Sequence, residues 1–186
     1  MTLPNKITLI RIFLLPLFLI SVINYSPDKS SLRYVALSIF ILISFSDFLD
    51  GYFARRLKIA TDTGRVLDAA ADKLCLISSF VVLSMFSTFP EEVHLPLWVV
   101  IIVIGRDIAI ILGILFIYLK FRQLYIFPTK LGKISIVCEM ATVISILLLF
   151  KYSFIVWNVT VVIVIISGVA YLIKVMETFK EGRVSA

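Results

Sequence analysis

The sequence predicts an all-α membrane protein with six transmembrane helices and both termini in the cytoplasm. Hydrophobic residues make up 61% of the 186 residues and charged residues only 16%, whereas a soluble domain has ~45–50% and ~25%. A soluble core of this size could not bury so much apolar surface, and the apolar residues fall into runs separated by short polar connections. A soluble enzyme, a nucleic-acid-binding domain and a disordered tail are therefore excluded.

The apolar runs follow one another along the chain as Ile7–Ile23, Leu32–Phe45, Leu74–Phe89, Leu97–Leu119, Ile134–Phe150 and Phe154–Val175. Each is near the ~20 residues that cross the hydrocarbon layer, provided that its helical ends extend beyond the purely apolar part. The first run lacks a small-x-small cleavage site and further runs follow it, so it is interpreted as a retained helix rather than a signal peptide. Neither a repeat nor a low-complexity tract interrupts the pattern, which predicts a single domain over residues 1–186.

The basic residues predict the orientation of these helices. One side carries Lys6, Arg11, Arg55, Arg56, Lys58, Arg65, Lys120, Arg122, Lys130, Lys174, Lys180 and Arg183. The other side carries only Lys29, Arg33 and Lys151, together with the acidic pair Glu91 and Glu92. The positive-inside rule therefore places both termini in the cytoplasm. The net charge of +6 is explained by topology and by contact with anionic lipid head groups, and no nucleic acid is expected as a partner.

Four aspartates, Asp47, Asp50, Asp68 and Asp72, lie between the second and third apolar runs. The spacing within each pair, i,i+3 and i,i+4, puts its members on one face of a helix, and both pairs are predicted at the cytoplasmic edge of the bilayer. Carboxylates this close repel one another and are costly there, which one or two divalent cations would relieve. Oxygen ligands without His or Cys favour Mg²⁺, Mn²⁺ or Ca²⁺. Two such ions can clamp both sides of a phosphoryl displacement.

Small and basic residues between the acids indicate a phosphate-bearing ligand. Gly51, Ala54 and Gly64 remove bulk from this segment, so that helices can approach closely and a flat or phosphorylated ligand has room. Arg55, about one turn beyond Asp50, could bind a phosphate oxygen bidentately.

The whole pattern reads Asp47-x2-Asp50-Gly51-x2-Ala54-Arg55-x8-Gly64-x3-Asp68-x3-Asp72. It matches without a gap the signature of the CDP-alcohol phosphatidyltransferases, and the chain resembles that family over its whole length. The opening segment, Leu3-Pro4-Asn5-Lys6-Ile7-Thr8-Leu9-Ile10-Arg11, is similar to the phosphatidylglycerophosphate synthase and cardiolipin synthase branch.

The resemblance implies a polar cavity that opens to the cytoplasmic leaflet and takes CDP-diacylglycerol as the donor. It implies that Asp47, Asp50, Asp68 and Asp72 hold two Mg²⁺ or Mn²⁺ ions, and that Asp72 is also the general base that deprotonates the acceptor hydroxyl, with CMP as the leaving group. The residues expected to bind the CDP-lipid are Gly51, Ala54, Arg55, Thr61 and Gly64, with Asn5, Thr8 and Arg11 contributing from the first helix. A homodimer is also what the family suggests.

The acceptor is indicated by charges in the fourth and fifth runs. Arg106 and Asp107 lie inside the fourth run and Glu139 inside the fifth, and charges inside a membrane indicate function by default. Together with Lys130 and Lys133, Arg106 is a candidate for binding an acceptor phosphate. The alternative is an ion pair of Arg106 with Glu139 or Asp107 that only ties helices together.

The same region differs from the best-known phosphatidylglycerophosphate synthases, which usually have Arg-Glu in the fourth helix, a second Arg two turns later, and Lys-Thr and a Gln in the fifth. Here the chain has Arg106-Asp107, Ile114, Ile134-Ser135 and Glu139. Glycerol 3-phosphate is therefore favoured only modestly over phosphatidylglycerol, the acceptor of a cardiolipin synthase.

Two further classes of protein fit the sequence less well. An ion-coupled transporter would distribute its acids through the depth of the bilayer, whereas these four gather at one edge. A prenyltransferase would carry its aspartate motifs on helices far apart in the sequence, whereas these pairs are separated by one short loop.

Overall fold

The computed structural model describes the backbone of residues 3–57, 62–86, 88–121 and 130–181, and the side chains of residues 11, 13–46, 73–86, 88–114, 116 and 130–177. Every regular element in these ranges is helical. The α-helices are α1 (Leu3–Ile23), α2 (Ser31–Leu57), α3 (Asp62–Met85), α4 (Leu97–Phe121), α5 (Lys130–Leu147) and α6 (Ser153–Glu181), and a short 3-10 helix (Pro27–Lys29) joins α1 to α2. The prediction of an all-α fold with six helices is confirmed.

The helices pack as two groups that meet along α3 and α5. Helix α1 lies against α2 and α3, while α6 lies against α4 and α5. Contacts of α3 with α4 and α5, and of α2 with α5, join the two groups. In the packed pair α4 and α6, Arg106 lies against Gly168 and Gly113 lies against Tyr171. Because residue numbers increase in the same direction along both helices, α4 and α6 are parallel.

The apolar core occupies the end of the bundle remote from the aspartates. It is built from the C-terminal halves of α1, α3 and α5 and the N-terminal halves of α2, α4 and α6. Fully buried members include Phe18, Phe80, Leu83, Val99 and Ile146. In contrast, large apolar side chains are exposed on the outer faces of the described helices, Phe13, Ile101, Val137 and Val162 among them. An exposed apolar surface this extensive indicates contact with lipid.

Two of the helices, within Leu97–Ile114 and Ser153–Glu177, are long and apolar enough to span a membrane. Shorter apolar segments occur in three others, at Phe13–Ile23, Ser31–Ser46 and Lys73–Met85. Helix α2 continues beyond the apolar run that ended at Phe45, because helical backbone hydrogen bonding can continue where the side chains become polar.

Helix α3 ends earlier than the apolar run did, at Met85 rather than Phe89. Beyond this end Phe86 is exposed, whereas Phe89 is buried and packs against the connection between α1 and α2. Phe89 stacks on Tyr25 with the ring centres 4.5 Å apart, and the Thr88 hydroxyl donates to the Tyr25 carbonyl at 2.6 Å. The apolar run therefore extends beyond the helix, and apolar composition did not predict where the helix ends.

Candidate functional site

The backbone of both aspartate pairs is helical. Asp47 and Asp50 lie on the C-terminal half of α2, and Asp68 and Asp72 on the N-terminal half of α3. An α-helix rises ~1.5 Å per residue, so the members of each pair are separated along the helix axis by about one turn. Their side chains lie outside the described residues. Since only residues 58–61 lie between α2 and α3, the two pairs occupy the adjoining ends of consecutive helices.

The other residues of the pattern also fall on helices. Gly51, Ala54 and Arg55 lie in the last turns of α2 and Gly64 in the first turn of α3, while Thr61 lies outside the described residues. Asn5 and Thr8 belong to α1 and their side chains also lie outside the described set. The side chain of Arg11, one turn further along, is buried.

A set of polar side chains from α3, α4, α5 and α6 meets inside the bundle, between the aspartates and the apolar core. We call it the inner polar cluster, and it comprises Lys73, Arg106, Asp107, Ser135, Glu139 and Ser167. Its first contact joins α3 to α4. The Lys73 ammonium donates to both carboxylate oxygens of Asp107, at 2.7 and 2.8 Å. Asp107 is only 4% exposed, whereas Lys73 remains 31% exposed.

Arg106 is the centre of the inner polar cluster. Its Nη1 donates to Oδ1 of Asp107 at 2.7 Å, and its Nη2 donates to the hydroxyl oxygens of Ser135 at 2.8 Å and Ser167 at 2.9 Å. Gly168 makes room for this arrangement, because a Cβ atom there would lie 3.3 Å from Cγ of Arg106. One guanidinium therefore connects α4, α5 and α6. Of the two ion pairs considered for Arg106, the structure contains the one with Asp107.

Glu139 lies one turn beyond Ser135 on α5 and is fully buried. Lys73, Asp107 and Arg106 are near enough to act on it electrostatically, yet neither carboxylate oxygen has a hydrogen-bond partner among the described residues. The Nε atom of Arg106 is likewise without a partner in that part of the chain. In this cluster both oxygens of Asp107 accept hydrogen bonds, whereas the oxygens of Glu139 and the Nε of Arg106 make none among the described residues.

The two lysines considered for acceptor binding lie at the start of α5, and both are exposed. Lys133 is two residues from Ser135, and residues two apart on a helix do not face each other. The α5 surface that meets Arg106 is therefore not the surface that carries Lys133. The described contacts bring Arg106 together with serines and Asp107, and they include none between Arg106 and either lysine.

Sequence reasoning missed Lys73 and Ser167. A signal for Lys73 was available, because it is a charge at the start of an apolar helix and directly follows the last aspartate of the pattern. Ser167 carries no such signal, since a serine inside an apolar helix commonly bonds only to its own backbone.

The fit of the site to metal ions depends on the aspartates. Among the described side chains, no group of three His, Cys, Asp or Glu residues lies close enough to hold a metal ion. The four aspartates supply only hard oxygen donors at one-turn spacing on two adjoining helix ends. This donor set suits Mg²⁺ or Mn²⁺ rather than zinc.

The comparison with known proteins agrees with this pattern. The CDP-alcohol phosphatidyltransferase family matches residues 1–170. The chain is 30% identical to a CDP-diacylglycerol–glycerol-3-phosphate 3-phosphatidyltransferase of Bacillus subtilis, over 97% of this chain and 98% of the relative. It is 32% identical to a protein of the same name from Aquifex aeolicus, over 97% of this chain and all of the relative.

A third relative bears on the alternative acceptor. The chain is 33% identical to a cardiolipin synthase (CMP-forming) of Streptomyces coelicolor, over 62% of this chain and 52% of the relative. All three relatives and the matched residues lead to the same conclusion. The chain belongs to the CDP-alcohol phosphatidyltransferase family.

Proposed function

We propose that this chain transfers the phosphatidyl group of CDP-diacylglycerol to glycerol 3-phosphate, which yields phosphatidylglycerophosphate and CMP. The observation that carries the proposal is the position of the aspartate pairs, at one-turn spacing on the adjoining ends of α2 and α3. The choice of glycerol 3-phosphate follows the names of the Bacillus subtilis and Aquifex aeolicus relatives, which match almost the whole chain.

In this proposal Asp47, Asp50, Asp68 and Asp72 hold two divalent ions, Mg²⁺ or Mn²⁺. When bound, the ions neutralise the pyrophosphate charge that develops during the transfer. The Asp72 carboxylate accepts the proton of the acceptor hydroxyl. The hydroxyl oxygen then forms a bond to the lipid-side phosphorus, and the bond from that phosphorus to the CMP oxygen breaks.

The CDP-lipid is bound by the residues that flank the aspartates. Small residues at Gly51, Ala54 and Gly64 leave space for the cytidine and its phosphates, and Arg55 supplies a positive charge. Thr61 and three residues of α1 complete this binding set, namely Asn5, Thr8 and Arg11.

The acceptor phosphate is assigned to Arg106, Lys130 and Lys133. In Arg106, Nη1 and Nη2 are engaged with Asp107 and the two serines, and Nε has no partner among the described residues. An incoming phosphate oxygen would therefore bind Nε directly, or replace a serine at Nη2. Lys130 and Lys133 are exposed at the start of α5 and are the candidates for the second positive charge that a dianion requires, although Lys133 lies on a different surface of α5 from the one that meets Arg106.

A cardiolipin synthase is the second candidate. It is favoured by the ion pair of Arg106 with Asp107, because a guanidinium already paired with a carboxylate offers less positive charge to a free phosphate dianion. Phosphatidylglycerol, whose phosphate is a diester with one charge, requires less. The Streptomyces coelicolor relative supports this candidate over 62% of the chain.

We also propose that all six helices span the bilayer, with the termini and the aspartates on the cytoplasmic side. The support is the charge distribution between the connections and the exposed apolar surface of the described helices. Connections between α2 and α3 and between α4 and α5 would then face the cytoplasm.

The deciding experiment is an acceptor panel with purified protein, CDP-diacylglycerol and Mg²⁺ or Mn²⁺, in which CMP release is measured. We expect release with glycerol 3-phosphate and little with glycerol. Release with phosphatidylglycerol alone would make the protein a cardiolipin synthase. Activity that persists in EDTA would refute the metal assignment, and the four Asp→Asn variants, assayed in parallel, should each lose at least ~10²-fold in rate.

A further inference from the structure

The Lys73–Asp107 ion pair lies beside the proposed base. Lys73 directly follows Asp72 on α3, and its ammonium is held by both oxygens of Asp107 on α4. The same Asp107 accepts a hydrogen bond from Arg106 at 2.7 Å. One carboxylate therefore connects the helix of the base to the side chain assigned to the acceptor phosphate.

Such a pair contributes little to stability for its own sake. Taking two charges out of water costs several kcal/mol, and replacing a buried pair by apolar residues of similar volume is often neutral or stabilising. What a buried pair can provide is a defined register between the elements that carry it. Within a membrane this matters more, since lipid tails compete with apolar side chains and leave helix association without a hydrophobic driving force.

The register in question is that of α3 against α4. A slip of one turn would move Asp72 by ~5.4 Å relative to α4, which is more than the reach of a hydrogen bond. Buried apolar residues of α3 begin within one turn of Lys73, at Cys75 and Leu76. Apolar contacts are not directional, however, and they define the register of two helices less sharply than an ion pair does. The ion pair adjoins the base and is directional, so it opposes such a slip.

We propose that Lys73 and Asp107 are a positioning pair that holds Asp72 at a fixed place relative to Arg106, so that the acceptor hydroxyl reaches the base once its phosphate is bound. The proposal rests on the proposed function and adds two residues to it. Neither residue touches the reacting atoms, and both act through the placement of α3.

The test compares four variants in the CMP-release assay, with the melting temperature of the purified protein measured for each. Lys73→Met should lower kcat by about 10- to 100-fold, since a misplacement of about 1 Å can cost ~10² in rate. The KM values for donor and acceptor should change by less than about threefold. Lys73→Arg keeps a cation that can bind the Asp107 carboxylate in a fork, and it should recover most of the lost kcat. Lys151→Met, at an exposed position outside the site, is the matched control.

The fourth variant separates positioning from mere stability. Lys73→Met/Asp107→Asn removes one positive and one negative charge together, and the Asn oxygen can still accept from Arg106. We expect its melting temperature to return towards the wild-type value while kcat stays low. A double variant with wild-type kcat would overturn the proposal, and so would a Lys73→Met variant in which only the acceptor KM rises, since Lys73 would then bind the phosphate itself. A wild-type protein that releases no CMP with any acceptor would instead refute the proposed function.

Discussion

Replacing Arg106 by Ala tests how much the inner polar cluster stabilises the bundle. The change removes three hydrogen bonds, to Asp107, Ser135 and Ser167. Asp107 keeps both contacts from Lys73, and the Ser135 hydroxyl keeps its bond to the Gly132 carbonyl at 2.9 Å. The loss is therefore smaller than the penalty for leaving a buried charge entirely unpaired.

The magnitude follows from the kinds of bond removed. Hydrogen bonds between helices in membranes average ~0.6 kcal/mol, and a bond between two charged groups contributes ~1.5–3 kcal/mol. Two bonds of the first kind and one of the second give about 3 kcal/mol. For a chain of this length each kcal/mol lowers the melting temperature by about 2–4 °C, so Arg106→Ala should melt about 6–12 °C below the wild type.

The assay is thermal unfolding of the detergent-solubilised protein, with Arg33→Ala as the matched control. The guanidinium of half-buried Arg33 lies 4.6 Å from the centre of the exposed Tyr34 ring, and a cation–π contact contributes ~0.5–1 kcal/mol at exposed sites. A melting temperature for Arg106→Ala no lower than that of Arg33→Ala would refute the reasoning, because the three bonds would then contribute nothing. Acceptor KM, measured on the same samples below their melting temperatures, should also rise if Arg106 binds the phosphate.

Three more predictions address single positions. Asp72→Asn should still bind CDP-diacylglycerol but lose at least ~10²-fold in the rate of CMP release. If Asp72→Asn instead releases CMP at the normal rate and Asp68→Asn is inactive, Asp68 is the base. Glu139→Met should increase the unfolding free energy by about 1–3 kcal/mol and so raise the melting temperature, because it removes a buried carboxylate that lacks a hydrogen-bond donor among the described residues. A lower melting temperature would mean that the carboxylate is paired. Gly113→Ala should destabilise the protein by ~1–3 kcal/mol, because the added Cβ would lie 3.0 Å from the Tyr171 ring. Gly105→Ala is the control, since a Cβ there enters open space and should not destabilise the protein. Equal effects of the two changes on thermal unfolding would contradict this contrast.

The sequence predicted the helices well because lipid imposes a simple rule on them. Backbone groups in hydrocarbon must bond within their own helix, so a long apolar run has few alternatives to an α-helix. Helix ends obey no such rule. Helix α5 stops at Leu147 although its apolar run continues to Phe150, and Leu149 adopts a left-handed conformation with φ of 53°.

The end of α5 is a Schellman motif built without glycine. The Phe150 amide donates to the Ser145 carbonyl and the Leu149 amide to the Ile146 carbonyl, which are the two bonds that define the motif. Sequence reasoning expects Gly or Asn at the left-handed position, because a side chain there costs roughly 1–2 kcal/mol. Leu149 instead packs against the apolar core, and burial of its side chain offsets that cost.

The one-turn spacing of each aspartate pair on a helix was predictable from the sequence, whereas the contacts of Arg106 were not. A pair spaced i,i+3 or i,i+4 shares a helix face whatever the tertiary packing is, so the sequence contains the information. Ser135 and Ser167 are 32 positions apart on different helices, and only the packing of α5 and α6 brings both to one guanidinium. Sequence reasoning could therefore name Arg106 as an unusual charge and could not choose between its partners.

The order of layers along the bundle explains why the charges are tolerated. The apolar core fills one end, where it needs no specific partners, and the helical segments that carry the aspartates lie towards the other end. Between them the inner polar cluster pairs Asp107 with two cations. Nη2 of Arg106 donates to two hydroxyl groups, while its Nε has no partner among the described residues. Glu139 is the one member without a hydrogen bond among the described residues. Ser84 and Ser153, at the apolar end, also have a hydroxyl oxygen without a partner in the part of the chain that the structure describes. Glu139 is the one carboxylate among these groups, and leaving a charged group without a hydrogen bond costs more than leaving a hydroxyl without one.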